Sequence, residues 1–276
     1  LNVEDFDSAQ TDLNELYSGV TELEIHGDDI DTYYQSGKFK LEDPYYFPNQ
    51  FAYLKDIANT SHTALGRINV DDQQVEPLNH LQDHVWGIRP RNREQTFAMD
   101  ILLNDDVKLV TLVGKAGTGK TLLAIAAGLQ KVTEEGIYQK LLISRPVFPL
   151  GRDIGYLPGD IDEKLSPWMQ PIYDNVEFLL SLSKSDRRRS PGHQELIDLG
   201  IMEIEPLTYI RGRSIPNQFL IVDEAQNLTP HEVKTIVSRA GDNTKIVLTG
   251  DPYQIDNPYV DSTNNGLVHV VNRFQN

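Results

Sequence analysis

The chain has 276 residues, 39% hydrophobic and 24% charged, which is room for one large α/β domain and a small second one. It has no cysteine, which excludes disulfides and thiolate metal sites and suits a reducing cytoplasm, and no apolar run reaches the roughly 18 residues a membrane helix needs. The net charge of −16 is uneven: residues 1–85 hold 17 of the 41 acidic and 4 of the 25 basic side chains, so the remainder is nearly balanced and can still present a basic groove.

In chain order, the start Leu1-Asn2-Val3-Glu4-Asp5 is acidic, lacks the regions of a signal peptide and has no Met, so a piece of a longer protein is expected. Residues 1–18 read as a linker. Short alternating runs follow at Val20 to Ile25, Thr32 to Tyr34, Lys38 to Leu41, Gln50 to Leu54 and Leu65 to Val75, separated by Gly, Asp, Asn and Pro turn signals. They predict a small β-rich domain over residues 19–85, with an OB-like barrel as one form it can take.

From residue 86 to 276 the period lengthens. A helix is predicted from Arg93 to Leu103, then a doubly buried strand at Leu109 to Val113, a glycine-rich turn and an apolar helix from Thr121 to Val132. Further buried strands are predicted at Lys140 to Val147, Gln218 to Val222 and Lys245 to Leu248. Helices are predicted at Glu163 to Leu182 and Pro230 to Arg239, the latter with Thr229 as N-cap and Pro230 at its first position. This alternation predicts a parallel sheet with helices on both faces. The biased stretch Lys184 to Pro191, with Arg187-Arg188-Arg189, reads as an exposed loop.

Gly114-Lys115-Ala116-Gly117-Thr118-Gly119-Lys120-Thr121 fits the phosphate-loop pattern G-x-x-x-x-G-K-[ST] between a strand and a helix. Its glycines let backbone N–H groups curl around phosphates, and the helix N-terminus adds positive potential. Lys120 is expected to bridge the β- and γ-phosphates of ATP, and Thr121 to ligate Mg²⁺. Phe219 to Val222 deliver Asp223 and Glu224 to a strand end, where ligands bind in open α/β sheets. Asp223 is expected to hold the Mg²⁺ and Glu224 to polarise the attacking water, a hydrolase feature rather than a kinase one. Gln254, in Thr249-Gly250-Asp251-Pro252-Tyr253-Gln254, is placed to reach the γ-phosphate, and Gln95 offers a donor and an acceptor to an adenine edge. Arg145, Arg152, Arg211 and Arg213 fall near strand ends, as a finger on a neighbouring subunit's γ-phosphate, RNA-phosphate contacts or plain salt bridges. Tyr156, Trp168 and Tyr173 either stack on bases or pack a helix face into the core. The histidines show no metal-ligand spacing.

These residues together resemble the PhoH family of P-loop ATPases, from about Trp86 to Phe274. The resemblance rests on residues 87–95, the phosphate loop, Ser144 to Val147, Gly155 to Asp160, Tyr209 to Arg213, Val222 to Asn227, Thr249 to Gln254 and Gly266 to Phe274. It implies a core similar to the first, RecA-like motor domain of superfamily 1 helicases, use of ATP and Mg²⁺, an RNA-linked activity of helicase or translocase type, and a homo-oligomeric ring. Residues 19–85 resemble the β-rich segment of longer members, in which a PIN ribonuclease domain precedes the ATPase. The family pattern continues past Asn276 into a Gly-Glu-Arg-Ser-like motif, so a catalytic arginine is expected from Arg211, Arg213, that segment or a neighbouring subunit. An ATP-controlled interaction switch without helicase activity is the competing reading.

Overall fold

The computed structural model describes residues 16–43, 45–80, 84–147, 161–183, 192–210 and 212–274, except the side chains of 161–166 and 183. Most of the linker, Tyr156 and the rest of the Gly155 to Asp160 block, Arg152, the Arg187-Arg188-Arg189 loop and Arg211 lie outside the described residues. Two compact units emerge, one built on Tyr17–Gln82 with Pro90–Asn104, the other on Asp105–Val271 with Asp83–Arg89.

The smaller unit is a five-stranded sheet in the order β1-β3-β4-β5-β2, formed by β1 (Val20–Ile25), β2 (Phe39–Lys40), β3 (Phe51–Asp56), β4 (Thr63–Asn69) and β5 (Gln74–Glu76). The strand expected at Thr32 to Tyr34 is instead part of helix α1, Gly27–Ser36. Thr and Tyr favour strands, but Ile30 and Tyr33, three residues apart, bury together as only a helix allows. Asp28 and Asp29 favour the first turn, and Gly37 closes the last with φ 69°. The Tyr33 hydroxyl then donates to the Leu65 carbonyl at 3.0 Å. Because α1 carries the chain back across the sheet, β1 and β3 are parallel while the other pairs are antiparallel. Among the described residues the sheet is open, with β1 and β2 at its edges, and closes into no OB-like barrel. The single strand expected over Leu65 to Val75 is two, split where Asn69 Oδ1 accepts from the backbone N–H groups of Asp71 and Asp72, both at 3.1 Å.

Helix α2 (Arg93–Leu103) was expected with the ATPase part, yet its packing belongs to this unit. Phe97 stacks on Phe51 with centroids 4.6 Å apart, and the Arg93 guanidinium lies 4.4 Å above the Tyr53 ring while pairing with Glu22 at 2.8 Å. The boundary after residue 85 therefore does not coincide with the packing boundary.

The larger unit is a fully parallel five-stranded sheet, β6-β10-β9-β7-β8. Its strands are β6 (Leu109–Val113), β7 (Lys140–Arg145), β8 (Met202–Pro206), β9 (Gln218–Val222) and β10 (Lys245–Gly250), with helices α3 (Lys120–Leu129), α4 (Ile161–Ser183), α5 (His193–Asp198), α6 (Leu207–Ile210), α7 (Pro230–Val237) and α8 (Gly266–Arg273). Sequence reasoning missed β8 because Glu203 and Glu205 interrupt its apolar residues, as an edge strand permits. Alternation along the strands sends Leu142, Leu220, Val222, Ile246 and Leu248 to one face, where they cluster with Ile210, Val233, Ile236 and Leu267 from α6, α7 and α8. The capping box of Thr229 and Glu232 fixes the start of α7. Leu141 and Phe219 point to the opposite face, under α3, which itself packs against α4.

That second face is tight at Gly128, where an added Cβ would lie 2.6 Å from Leu141 Cδ1 and 3.1 Å from Phe219 Cδ1. Gly128→Val is therefore expected to lower stability by about 1–3 kcal/mol, read as a lower urea midpoint at unchanged m-value. An undiminished midpoint would mean that the helix is not seated this closely.

Candidate functional site

In a parallel sheet the C-terminal strand ends open on one edge, and four of them assemble the site. Strand β6 leads into the phosphate loop, β9 into Asp223 and Glu224, β7 ends at Arg145, and β10 lies between β6 and β9. That central position lets β10 serve both neighbours. Thr249 Oγ1 donates to Asp223 Oδ1 at 2.6 Å, Asp251 Oδ2 accepts from the Ala116 N–H at 2.9 Å, and the Gly250 carbonyl accepts from the Gly114 N–H at 3.2 Å.

The phosphate loop runs from Gly114 through Lys115, Ala116, Gly117, Thr118 and Gly119 to Lys120 and Thr121. Gly117 and Gly119 take φ of 76° and 88°, a left-handed backbone that only glycine adopts without strain. Thr118 Oγ1 braces the turn by donating to the Lys115 carbonyl at 2.8 Å. Lys120 Nζ folds back onto the loop, donating to the carbonyls of Gly114 at 2.7 Å and Lys115 at 2.9 Å. Burial pushes its pKa below the ordinary lysine value, opposed by the charges of Asp251, Glu224 and Asp223. The ammonium thus waits at the loop mouth among acceptors that a phosphate can replace.

Asp223 Oδ1 accepts from Thr121 Oγ1 at 2.7 Å as well as from Thr249, so a hydroxyl and a buried carboxylate meet beside the loop. This hard oxygen pair fits Mg²⁺, which is held by one or two carboxylates together with substrate phosphates rather than by a protein cage. No group of three or more His, Cys, Asp or Glu suited to a metal occurs among the described residues.

Glu224 has φ 55°, so the chain turns sharply after the strand and aims its side chain apart from that of Asp223. Its Oε1 lies 3.4 Å from Arg145 Nη2, and its Oε2 accepts from Gln226 Nε2 at 2.5 Å. The Gln226 amide is fully buried and uses both ends: Nε2 also donates to the Gln254 carbonyl at 2.8 Å, and Oε1 accepts from the Asp251 N–H at 3.2 Å. Gly250 must be glycine here, since a Cβ would sit 2.3 Å from Gln226 Oε1. Next along the chain, Asn227 Oδ1 accepts from the Asp256 N–H at 2.7 Å. The Glu224 carboxylate and the loop after β10 are therefore one hydrogen-bonded body.

The other expected residues are placed differently. Gln254 contributes its backbone carbonyl to that body, while the residue itself is exposed. Gln95 lies in the smaller unit; its N–H donates to Asn92 Oδ1 at 2.9 Å and its Oε1 accepts from the Arg91 N–H at 2.8 Å, so its acceptor serves the start of α2. Arg213 Nη1 donates to both oxygens of Glu205, at 2.8 and 3.1 Å, on β8, the sheet edge opposite β6, and does not join the phosphate loop. Tyr173 packs edge-on against His193. Sequence reasoning left out Gln226, Thr249 and Asp251 and did not single out Arg145. The signal available was a polar run directly after each apolar strand.

Comparison with known proteins finds a family model, three relatives and a solved structure. The family model described as PhoH-like protein matches residues 87–276. Protein PhoH2 of Bacillus subtilis is 50% identical over 281 residues, covering 100% of this chain and 62% of that protein. Protein PhoH2 of Mycolicibacterium smegmatis is 38% identical over 260 residues (94% of this chain, 56% of that one), and Protein PhoH2 of Thermobispora bispora 34% over 276 residues (100% and 60%). The chain thus spans about three fifths of the length of these curated relatives. Among solved structures, the Sulfolobus solfataricus SWI2/SNF2 ATPase core in complex with dsDNA aligns at a TM-score of 0.38 and 16% identity, over 62% of this chain and 34% of that one. With the family model spanning most of the sequence and a relative identical at half the aligned positions along the whole of it, this chain belongs to the PhoH family of P-loop ATPases.

Proposed function

We propose that this chain binds ATP with Mg²⁺ and hydrolyses it, and that in the whole protein this turnover drives unwinding of, or movement along, single-stranded RNA. The observation that carries the ATPase reading is the convergence of Lys120, Thr121, Asp223 and Glu224 at one sheet edge, linked by the Thr121–Asp223 bond of 2.7 Å. Lys120 and the loop N–H groups hold the β- and γ-phosphates. Thr121 and Asp223 would hold the Mg²⁺, whose charge offsets that of the phosphates when it is bound. Glu224 orients a water so that its oxygen bonds to the γ-phosphorus. The bond from that phosphorus to the β–γ bridging oxygen breaks with its electron pair on ADP, and the proton released by water passes through Glu224 to the inorganic phosphate.

The RNA reading is supported by kinship with the family and by the Gln226–Asn227 clamp, through which anything seated on the 251–257 loop acts on the Glu224 carboxylate. The remaining parts of the proposal are a PIN ribonuclease domain in cis, a homo-oligomeric ring with RNA in its pore, and a cytoplasmic location. No helix among the described residues is long and apolar enough to cross a membrane.

Single-stranded RNA added to the full natural chain is expected to raise the ATP turnover number at saturating ATP several-fold. Turnover indifferent to RNA would favour the ATP-controlled interaction switch and sink the motor reading. Light scattering with an ATP analogue checks the ring, which a monomer of full activity would exclude.

A further inference from the structure

We infer that Arg145 is the arginine that meets the γ-phosphate, from within the same subunit, and that it waits on Glu224 until ATP arrives. The inference rests on the ATPase reading above and deepens it.

Of the four arginines near strand ends, Arg145 and Arg213 are among the described residues, and geometry separates them. Arg213 is locked: one nitrogen donates to both oxygens of Glu205 at 2.8 and 3.1 Å. Among the described residues Arg145 makes a single polar side-chain contact, 3.4 Å to Glu224, beyond the 2.7–2.9 Å or so of a strong charge-assisted bond. Its anchor, in contrast, is firm. The preceding residue, Ser144, accepts from the Asp223 N–H through its carbonyl at 2.8 Å, and its hydroxyl donates to the Glu205 carbonyl at 2.9 Å. The Arg145 backbone is thus fixed one residue from the main-chain bond that places Asp223, while its guanidinium is loosely held and the pair is largely shielded from water, with side chains 19% and 27% exposed.

Glu224 does not depend on the arginine for its own position, because Gln226 Nε2 holds the other oxygen at 2.5 Å. A γ-phosphate brings more charge than a carboxylate and an array of oxygens that matches the planar guanidinium fork. Arg145 therefore exchanges partners on ATP binding. Glu224 regains a free lone pair for water at the moment the arginine begins to offset charge on the transferring phosphoryl group. No arginine from a neighbouring subunit is required.

The test uses the full natural chain, with ADP and aluminium fluoride as the transition-state mimic. Arg145→Ala is expected to hold ATP within a few-fold of the parent and to lose about a hundredfold in turnover number and in affinity for the mimic. Arg145→Lys should recover part of both, and it guards against a folding defect in the alanine variant. In a Glu224→Gln background, Arg145→Ala should still weaken the mimic further, which an arginine acting only on Glu224 would not do. Mixing Arg145→Ala subunits with Lys120→Ala subunits should restore nothing. Restored turnover in that mixture, unchanged turnover in Arg145→Ala, or no added loss in the Glu224→Gln background would each overturn the inference. Should the unmodified protein fail to bind and hydrolyse ATP, the ATPase reading itself falls, a result distinct from any change confined to the variants.

Discussion

Glu224→Gln is expected to bind ATP within a few-fold of the parent and to turn it over about 10²–10⁴ times more slowly, the range for losing a positioned general base. The substitution keeps the length and shape of the side chain, so the turn at φ 55° stays populated and Gln226 Nε2 still finds an oxygen acceptor. What disappears is the negative charge proposed above to orient water and receive its proton. No hydrogen bond of Lys120, Thr121 or Asp223 is lost, since these are bonded to the loop and to one another rather than to Glu224, and the charges of Asp223 and Asp251 still support the Lys120 ammonium. Binding and chemistry should therefore separate cleanly. A fluorescent ATP analogue gives the first and single-turnover phosphate release the second. If turnover in the full natural chain is undiminished, another group activates the water.

How far this site could be read from the sequence depended on the kind of interaction involved. The phosphate loop was legible because glycine spacing, a lysine and a threonine are all local requirements of one backbone shape. Strands β7, β9 and β10 were legible because burial on both faces demands unbroken apolar runs. Strand β6 carries such a run at the sheet edge, with Val110 buried and Val113 exposed, so the double burial expected of it is not found. Helix α1 was missed since its buried pair, Ile30 and Tyr33, is too short a pattern to outweigh the strand preference of Thr32, Tyr33 and Tyr34. The Gln226 amide, which ties Glu224 to the loop of Asp251 and Gln254, reaches residues 25 and 28 positions away and leaves no periodic trace. Arg145 and Arg213 looked alike for the same reason. Only their partners' distances tell a poised cation from a locked one.

Lys120→Ala is expected to cost most, because it removes the phosphate-loop ammonium from both binding and chemistry. Charged hydrogen bonds contribute about 1.5–3 kcal/mol each, so ATP affinity should fall roughly 10–150-fold. Loss of a cation aimed at the developing charge should lower turnover by about 10²–10³ more. The fold itself should hardly respond. The two carbonyls that Lys120 Nζ now satisfies belong to Gly114 and Lys115, on a loop open enough for water to take its place. Burial already depresses the lysine's pKa, so its charge is held against a desolvation cost that alanine no longer bears. The measurement is a pair of thermal melts, with and without saturating ATP and Mg²⁺. The parent's melting temperature should rise with nucleotide as mass action requires, while the variant should melt as the nucleotide-free parent does and gain little from ATP. A variant stabilised by ATP as fully as the parent would show that Lys120 does not hold the phosphates, and the assignment of the loop would fail with it.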